Sequence, residues 1–187
     1  MKKNNILLIS LAIIVISAFG YSTLNILNYA GNNKIRFLDR SLASSNIDEV
    51  LKNPVFKNKV VYVDMWASWC GECIKQFPYT KAIKTRFKSD QVEYLYISYN
   101  NKYRIDHQTK WKELIKKNEL EGYHLEVDKD FYGDLWNKIT GPDEKHTIPR
   151  YIIIGRDGKI LIKNAAVPKS GDILYKQIEF ALNQKSP

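Results

Sequence analysis

The chain has little cysteine: among its 187 residues, only Cys70 and Cys73 carry a thiol. Neither is near the N-terminus, which excludes a lipid-modified N-terminal cysteine. The sequence also lacks internal repeats, low-complexity tracts and any nucleic-acid-binding motif, so no nucleic-acid partner is expected. The three histidines, His107, His124 and His146, are scattered and do not stand at the spacing of metal ligands. A dedicated metal centre is therefore not expected.

Acidic residues are outnumbered, 20 against 29 basic ones, for a formal net charge of +9. The first two positive charges, Lys2 and Lys3, precede an uncharged apolar run at 6–19, which is the pattern of an export signal with its lysines in the cytoplasm. A small-x-small cleavage site lies at 18–20. If the apolar run extends to Leu27, it reaches the ~20 residues that a membrane span needs. Both fates of the segment stay open, and we favour an uncleaved anchor.

The two cysteines lie where a strand passes into a helix. Residues 60–65 are β-branched or aromatic apart from Asp64 and Met65, which is typical of a buried strand. Apolar residues then recur at roughly helical spacing over 72–87. Cys70 is therefore expected at a helix N-terminus, where unpaired N–H groups and the helix dipole favour a thiolate.

This placement indicates redox chemistry. A thiolate at Cys70 can attack a foreign disulfide, and Cys73, three residues on and within disulfide reach, can resolve the mixed disulfide. The alternative is a purely structural bridge, which is disfavoured because so small a loop constrains little chain entropy. Outside the cytosol such a pair is oxidised unless it is reduced, so a reducing enzyme there needs an electron supply.

The segment 63–73, with the sequence VDMWASWCGEC, resembles the active-site motif of the TlpA/ResA-like group of exported thioredoxin-fold thiol–disulfide oxidoreductases. Pro78 falls where the active-site helix of that group is kinked. Ile148-Pro149 matches its cis-proline loop, and 157–159 (Asp-Gly-Lys) matches the following hairpin turn. The resemblance covers roughly residues 38–184. The chain departs from the group at Glu72, often proline there, and at Gln76, often glutamate.

The resemblance implies a role for several residues. Cys70 is the expected nucleophile at the exposed start of the helix, and Cys73 is the expected resolving thiol. Asp64 is the expected buried acid behind the disulfide, although an outward-facing side chain without a role stays open. A partner chain would be bound at Pro149 in a cis bond and at the following residues: Trp69, Gly71, Glu72 and Ile148. No dissociable cofactor is implied.

The elements along the chain predict an α/β protein: a mixed central sheet with helices on both faces, preceded by one N-terminal apolar helix. The resemblance implies that this sheet has the thioredoxin fold. We assign 1–27 to the signal or anchor, 28–37 to a linker and 38–187 to the thioredoxin-like domain. Asp130 is expected to open one helix and Asp106 to cap another. Asp157-Gly158 predicts a type I′ hairpin turn.

The expected function is a thiol–disulfide oxidoreductase of the cell envelope, in the periplasm or on the outer face of the cytoplasmic membrane. Its expected partners are disulfide-bearing envelope proteins, a membrane electron donor and, through the N-terminal segment, the membrane. The alternative is a copper delivery or binding protein without catalytic activity on the same fold, since thiolates are good Cu(I) ligands. A thiol peroxidase is disfavoured because the Thr-x-x-Cys arrangement is absent.

Overall fold

The computed structural model describes residues 34–99, 107–141 and 144–184. The predicted segment 1–27 and the predicted cap Asp106 lie outside these ranges. Within the described ranges, no helix combines the length and the apolar character that crossing a bilayer requires.

A six-stranded mixed sheet forms the centre of the fold, in the order β1-β4-β3-β2-β5-β6. Strands β1 to β4 are mutually parallel, β5 runs antiparallel to β2, and β6 runs antiparallel to β5. The bounds are β1 Ile35–Phe37, β2 Val60–Trp66, β3 Val92–Ser98, β4 Gly122–Glu126, β5 Arg150–Ile154 and β6 Ile160–Ile162.

Six α-helices accompany the sheet within the described residues. They are α1 Ile47–Leu51, α2 Gly71–Ile74, α3 Phe77–Arg86, α4 His107–Lys117, α5 Lys129–Ile139 and α6 Asp172–Leu182. Helices α2, α3, α4 and α6 pack on the face that carries the disulfide, whereas α1 and α5 pack on the opposite face. The thioredoxin fold with helices on both faces is confirmed. The three-residue strand β1 occupies the end of the segment predicted as a linker, 28–37.

The central strands β2, β3 and β5 are buried on both faces, because helices cover both sides of the sheet. At the start of β4, Gly122 has φ +129°, and a Cβ there would lie 2.6 Å from the Tyr94 carbonyl oxygen. Only glycine tolerates this approach and this conformation without strain. Gly122 therefore lets β4 begin close against β3.

Two local predictions are wrong. Helix α5 is capped by Asp128, whose carboxylate accepts a hydrogen bond from the Phe131 N–H at 2.9 Å, so Asp130 lies in the first turn. The β5–β6 turn is not type I′, because that type needs positive φ at both central residues and here only Gly158 has it. The Gly158 N–H donates to the Gly155 carbonyl at 3.0 Å, which gives a type I turn followed by a left-handed glycine.

Candidate active site

The active-site disulfide lies at the carboxyl end of β2. Cys70 and Cys73 form a disulfide, and Cys70 is the N-cap residue of α2. The Sγ atom of Cys70 accepts a hydrogen bond from the Cys73 N–H at 3.2 Å. A helix N-terminus directs N–H groups and a positive partial charge at the cap, which stabilises a thiolate there. The predicted position of Cys70 at the helix start is confirmed.

The exposure of Cys70 differs from the prediction. Cys70 is only 5% exposed, although its helix start was expected to be exposed, and Cys73 is fully buried. The reason is that Cys70 is bonded to a buried partner and packs in the same apolar cluster. Cys73 is the more buried of the pair, which suits a resolving thiol.

The helix that carries the cysteines is interrupted after one turn. Helix α2 ends at Ile74, and α3 starts at Phe77 with Pro78 in its first turn, where a missing N–H is tolerated. At the interruption, the Gln76 side-chain oxygen accepts a hydrogen bond from the Lys169 N–H at 3.1 Å. The loop around 168–170 is thereby attached to the active-site helix.

The outer surface beside the disulfide is partly apolar. Trp69 is half exposed, which suits the contact with a partner chain predicted for it. A Cβ at Gly71 would meet nothing within 4 Å, so the backbone there is open to an approaching chain. Glu72 is exposed and forms an ion pair with Lys75 at 2.6 Å, and both side chains are 70% exposed.

The Ile148-Pro149 peptide bond is cis, as the sequence resemblance implied. Both residues are half-buried, and Ile148 packs against the apolar clusters of both sheet faces. Because proline has no N–H, the backbone next to it is available for pairing with an extended peptide.

An ion pair and two ring contacts anchor the segment before the cis bond. Arg150, which is buried, forms an ion pair with Glu144, and its guanidinium lies 5.2 Å from the ring centroid of Trp136. The His146 ring stacks on the same indole, with ring centroids 4.8 Å apart. These contacts fix the approach to Pro149, and nothing in the sequence spacing indicated them.

Asp64 is in the middle of β2 and is 2% exposed. Along a strand, alternate residues share a face, so Asp64 lies on the same face as Tyr62 and Trp66, which belong to the cluster containing both cysteines. Neither carboxyl oxygen has a hydrogen-bond partner among the described residues. The expectation of a buried Asp64 is confirmed, and the alternative of an outward-facing side chain is wrong.

The electrostatics of Asp64 follow from its burial. Desolvation raises the pKa of the Asp64 carboxyl well above its ordinary value of 3.8, and the charge of Lys84 opposes this rise. Burial likewise raises the pKa of the phenols around it, those of Tyr62, Tyr96 and Tyr151, so they remain neutral. A carboxyl with a raised pKa is a suitable proton acceptor for a thiol near neutral pH.

A row of side chains extends from Asp64 across the sheet. In register, Tyr151 on β5 and Tyr96 on β3 lie opposite Asp64, and His124 on β4 lies opposite Tyr96. The rings of Tyr96 and His124 are stacked, with centroids 4.7 Å apart. His124 is buried, and desolvation lowers its pKa to about 3, so it is neutral. We did not predict this row, because its members lie on four different strands and only the register of the sheet brings them together.

The described ranges contain no group of three or more His, Cys, Asp or Glu side chains placed to hold a metal ion. Of the histidines considered as ligands, His124 is buried in the row, His146 stacks on Trp136, and the side chain of His107 lies outside the described residues. Trp66, Trp111 and Trp136 are buried, as expected of packing residues.

Comparison with known proteins agrees with this geometry. A sequence profile of the thioredoxin-like family matches residues 58–160, from the start of β2 to the start of β6. This match covers more than half of the chain and includes the disulfide, Asp64 and the cis-proline. The chain belongs to the thioredoxin-like family.

Three similar proteins are described as thiol–disulfide oxidoreductases. A thiol–disulfide oxidoreductase ResA from Bacillus cereus is 26% identical over 195 residues, covering all of both chains. The thioredoxin domain of a thiol–disulfide oxidoreductase from Bacteroides vulgatus is 26% identical with a TM-score of 0.52, over 68% of this chain and 82% of that one. A C-terminal domain of a related oxidoreductase from Bacteroides thetaiotaomicron is 27% identical with a TM-score of 0.51, over 72% and 84%. The protein is a thiol–disulfide oxidoreductase similar to ResA.

Proposed function

We propose that the protein is an extracytoplasmic reductant of protein disulfides, tethered to the membrane by residues 1–27. The reductant direction is supported by the resemblance of the segment 63–73 to the TlpA/ResA-like group. The extracytoplasmic location is supported by the two lysines and the apolar run at the N-terminus. Its substrates are disulfide-bearing envelope proteins, and a membrane protein that donates two electrons regenerates the thiols.

The reaction begins at Cys70. Its thiolate attacks one sulfur of a partner disulfide, a mixed disulfide forms, and the partner's other sulfur leaves as a thiolate. The partner strand pairs with the backbone at Ile148 and Pro149 and contacts Trp69, Gly71 and Glu72. The single observation that carries this proposal is the disulfide at the N-terminus of α2, which belongs to the apolar cluster against which Ile148 packs.

Cys73 completes the exchange. The Cys73 S–H transfers its proton to the Asp64 carboxylate, and the resulting thiolate attacks the Cys70 sulfur. The bond between Cys70 and the partner breaks, and the partner's second sulfur leaves with the electron pair and takes a proton from water. In total, two electrons pass from the cysteine pair to the partner. The Cys73 proton rests on Asp64 until water takes it, and the two partner thiolates take their protons from water. Asp64 suits this role because burial raises the pKa of its carboxyl.

The reduction potential of the Cys70–Cys73 pair tests the direction. We expect the full chain, equilibrated with glutathione or dithiothreitol buffers, to have a potential nearer to roughly −270 mV than to roughly −120 mV. A value near the upper figure would overturn the reductant assignment. Tight stoichiometric uptake of Cu(I) without any disulfide reductase activity would instead favour the copper-binding alternative.

The division of labour between the thiols is tested by trapping. Cys73→Ser should accumulate mixed disulfides with envelope proteins, whereas Cys70→Ser, the matched control, should accumulate none. Alkylation of the reduced protein at pH 7 should label Cys70 faster than an ordinary free thiol, because the helix N-terminus favours its thiolate. Equal trapping by both variants, or slow labelling of Cys70, would contradict the assignment of Cys70 as nucleophile.

A further inference from the structure

Lys84 on α3 points toward the sheet rather than into solvent. Its ammonium donates a hydrogen bond to the Tyr96 hydroxyl at 2.8 Å and another to the backbone carbonyl of Glu121. It also lies 5.1 Å from the ring centroids of Tyr94 and Tyr96. Lys81, one turn earlier on α3, is exposed. An ammonium is strongly hydrated, so an inward placement costs desolvation that these contacts must offset.

The position of Tyr96 connects Lys84 to Asp64. Tyr96 lies directly opposite Asp64 in the parallel β2–β3 pair, so both side chains project from the same face of the sheet. Helix α3 covers that face. The ammonium of Lys84, bonded to the tip of Tyr96, is therefore part of the polar row that contains the buried carboxyl, and its charge favours the ionised form of that carboxyl.

The other groups that face Asp64 do not supply a compensating charge. Burial raises the pKa of the surrounding phenols, which stay neutral, and His124, one position further along the row, is neutral as well. The residues that α6 packs on this face are apolar. Among the described residues, Lys84 is the only cation whose charge acts on the Asp64 carboxyl. These neighbouring groups are Tyr62 on β2, Tyr96 on β3, His124 on β4, Tyr151 on β5, and Leu174, Ile178 and Ala181 on α6.

We propose that Lys84 is a positioning residue for thiol–disulfide exchange, which raises the fraction of Asp64 that is ionised and able to take the proton of Cys73. The inference rests on the function proposed above for Asp64. Lys84 keeps its own proton throughout. The proton moves from the Cys73 sulfur to an Asp64 oxygen, while the Cys73–Cys70 bond forms and the bond from Cys70 to the partner breaks.

The resolving step can be isolated with Ellman's reagent. The reduced full chain, in detergent, releases one thionitrobenzoate when Cys70 attacks the reagent and a second when Cys73 displaces the first adduct. The first release depends on the reagent concentration and the second does not. For Lys84→Met we expect the second release to be about tenfold slower at pH 7, with its pH midpoint about one unit higher. The first release should change by less than about twofold.

Three variants separate this effect from a structural one. Lys81→Met removes the same charge from the exposed side of the same helix and should leave both releases unchanged. Lys84→Arg keeps the charge and should recover most of the lost rate. Tyr96→Phe removes the phenol that accepts a hydrogen bond from the ammonium. It should slow the second release by about threefold, less than Lys84→Met does, because the charge itself is kept. It also serves as the test if Lys84→Met does not fold.

The Asp64→Asn variant distinguishes a failure of the role of Lys84 from a failure of the role of Asp64. If Asp64→Asn slows the second release and Lys84→Met does not, the role of Lys84 alone is overturned. If Asp64→Asn leaves the second release unchanged, the role of Asp64 is overturned and this inference with it. If Lys84 acts through Asp64, adding Lys84→Met to Asp64→Asn should cause no further slowing. A fully additive double variant would place the effect of Lys84 elsewhere.

Discussion

The two faces of the central sheet are built from the same strands and differ in their chemistry. On the face that carries the disulfide, β2, β3 and β5 present large side chains with polar tips around one carboxyl: Tyr62, Asp64, Trp66, Tyr94, Tyr96 and Tyr151. On the opposite face, the intervening positions in the middle of the same strands are apolar: Val61, Val63, Met65, Leu95, Ile97, Ile152 and Ile154. The two charged residues on that face, Glu93 and Arg150, stand near strand ends and are each paired with an opposite charge.

The difference shows how one strand serves two purposes. Strand alternation lets β2 place Asp64 under the redox pair and Val63, the preceding residue, in a nonpolar core. The opposite face provides close packing, whereas the polar face includes buried groups whose hydrogen bonds are incomplete among the described residues, such as Asp64 and Tyr151. Such groups lower the stability of the fold, and their retention at this site is consistent with a role in catalysis.

The largest effect that we expect is on the face that carries the disulfide, where the titration of Asp64 should make the free energy of unfolding depend on pH. Because burial raises the pKa of its carboxyl, the native state holds the proton more tightly than the unfolded state. Between the ordinary value of 3.8 and the raised native pKa, the free energy of unfolding should therefore fall as pH rises, by up to about 1.4 kcal/mol per pH unit. Asp64→Asn cannot titrate and should lack this fall.

The measurement is urea unfolding of the oxidised protein and of Asp64→Asn from pH 5 to pH 9, a range that begins just above the ordinary value of 3.8. The Asn variant also changes the buried polar contacts, but that contribution does not depend on pH, so the slopes are compared rather than the absolute stabilities. Parallel curves for the two proteins would show that Asp64 does not titrate as its burial requires.

The titration of His124, on the same face, should change the stability with pH in the opposite direction. Desolvation lowers the pKa of His124 to about 3, below the ordinary value of 6.5, so the unfolded state binds a proton that the native state excludes. Stability should be lost as pH falls from about 6.5 toward about 3, by up to about 1.4 kcal/mol per pH unit. His124→Phe keeps a ring against Tyr96 and should remove this contribution.

The comparison of His124→Phe with the natural protein is made by urea unfolding between pH 7 and pH 4.5. Losing the hydrogen bond between the His124 ring and the Leu120 carbonyl lowers stability by about 1 kcal/mol at every pH. The gap between the two proteins should therefore close, and then reverse, as the solution becomes more acidic. A gap of constant size would mean that His124 takes no part in acid unfolding.

Val63→Ala tests whether the sheet face opposite Asp64 contributes to stability without affecting the redox chemistry. Val63 is fully buried, and removing two methyl groups should lower the free energy of unfolding by about 2 to 3 kcal/mol through lost burial and a cavity. The rates of both thionitrobenzoate releases should stay within about twofold. A large change in the rate of the second release would show that the face opposite the disulfide also influences the redox chemistry.

Much of this fold was predictable because local signals agreed with it. The hydrophobic run of β2, the helix start at Cys70 and the Asn46 cap of α1 are each encoded within a few residues. The three-residue strand β1 was not predictable, because its pairing with β4 depends on residues far away in sequence. The turn at 155–158 was mistaken for type I′ because Asp-Gly also suits a type I turn followed by a left-handed glycine.

The candidate site was predicted in part. Cys70, Cys73, Asp64 and Pro149 have neighbours in sequence that match a known motif, so one pattern finds them. Lys84 was not predicted, since it is one of several lysines on the helices and its inward direction depends on Tyr96, twelve residues on in another element. The contacts of Arg150 with Glu144 and Trp136 were missed for the same reason.

The smallest effect is expected at the surface, from Glu72 beside the nucleophile. At roughly 7 Å in water its charge disfavours the Cys70 thiolate by only about 0.6 kcal/mol, or about 13 mV for a two-electron couple. The ion pair with Lys75 reduces this further, because the two exposed charges largely cancel at a distance. Glu72→Gln should therefore make the potential more oxidising by less than about 13 mV, and Lys75→Gln should shift it by a similar amount in the opposite direction.

Equilibration with glutathione at low and at high salt measures both shifts. Salt screens exposed charges and should shrink them, whereas the effect of Lys84→Met on the second thionitrobenzoate release, acting on a buried carboxyl, should persist. A shift of several tens of millivolts in Glu72→Gln would mean that the outer surface, and not the buried polar row, controls the redox pair.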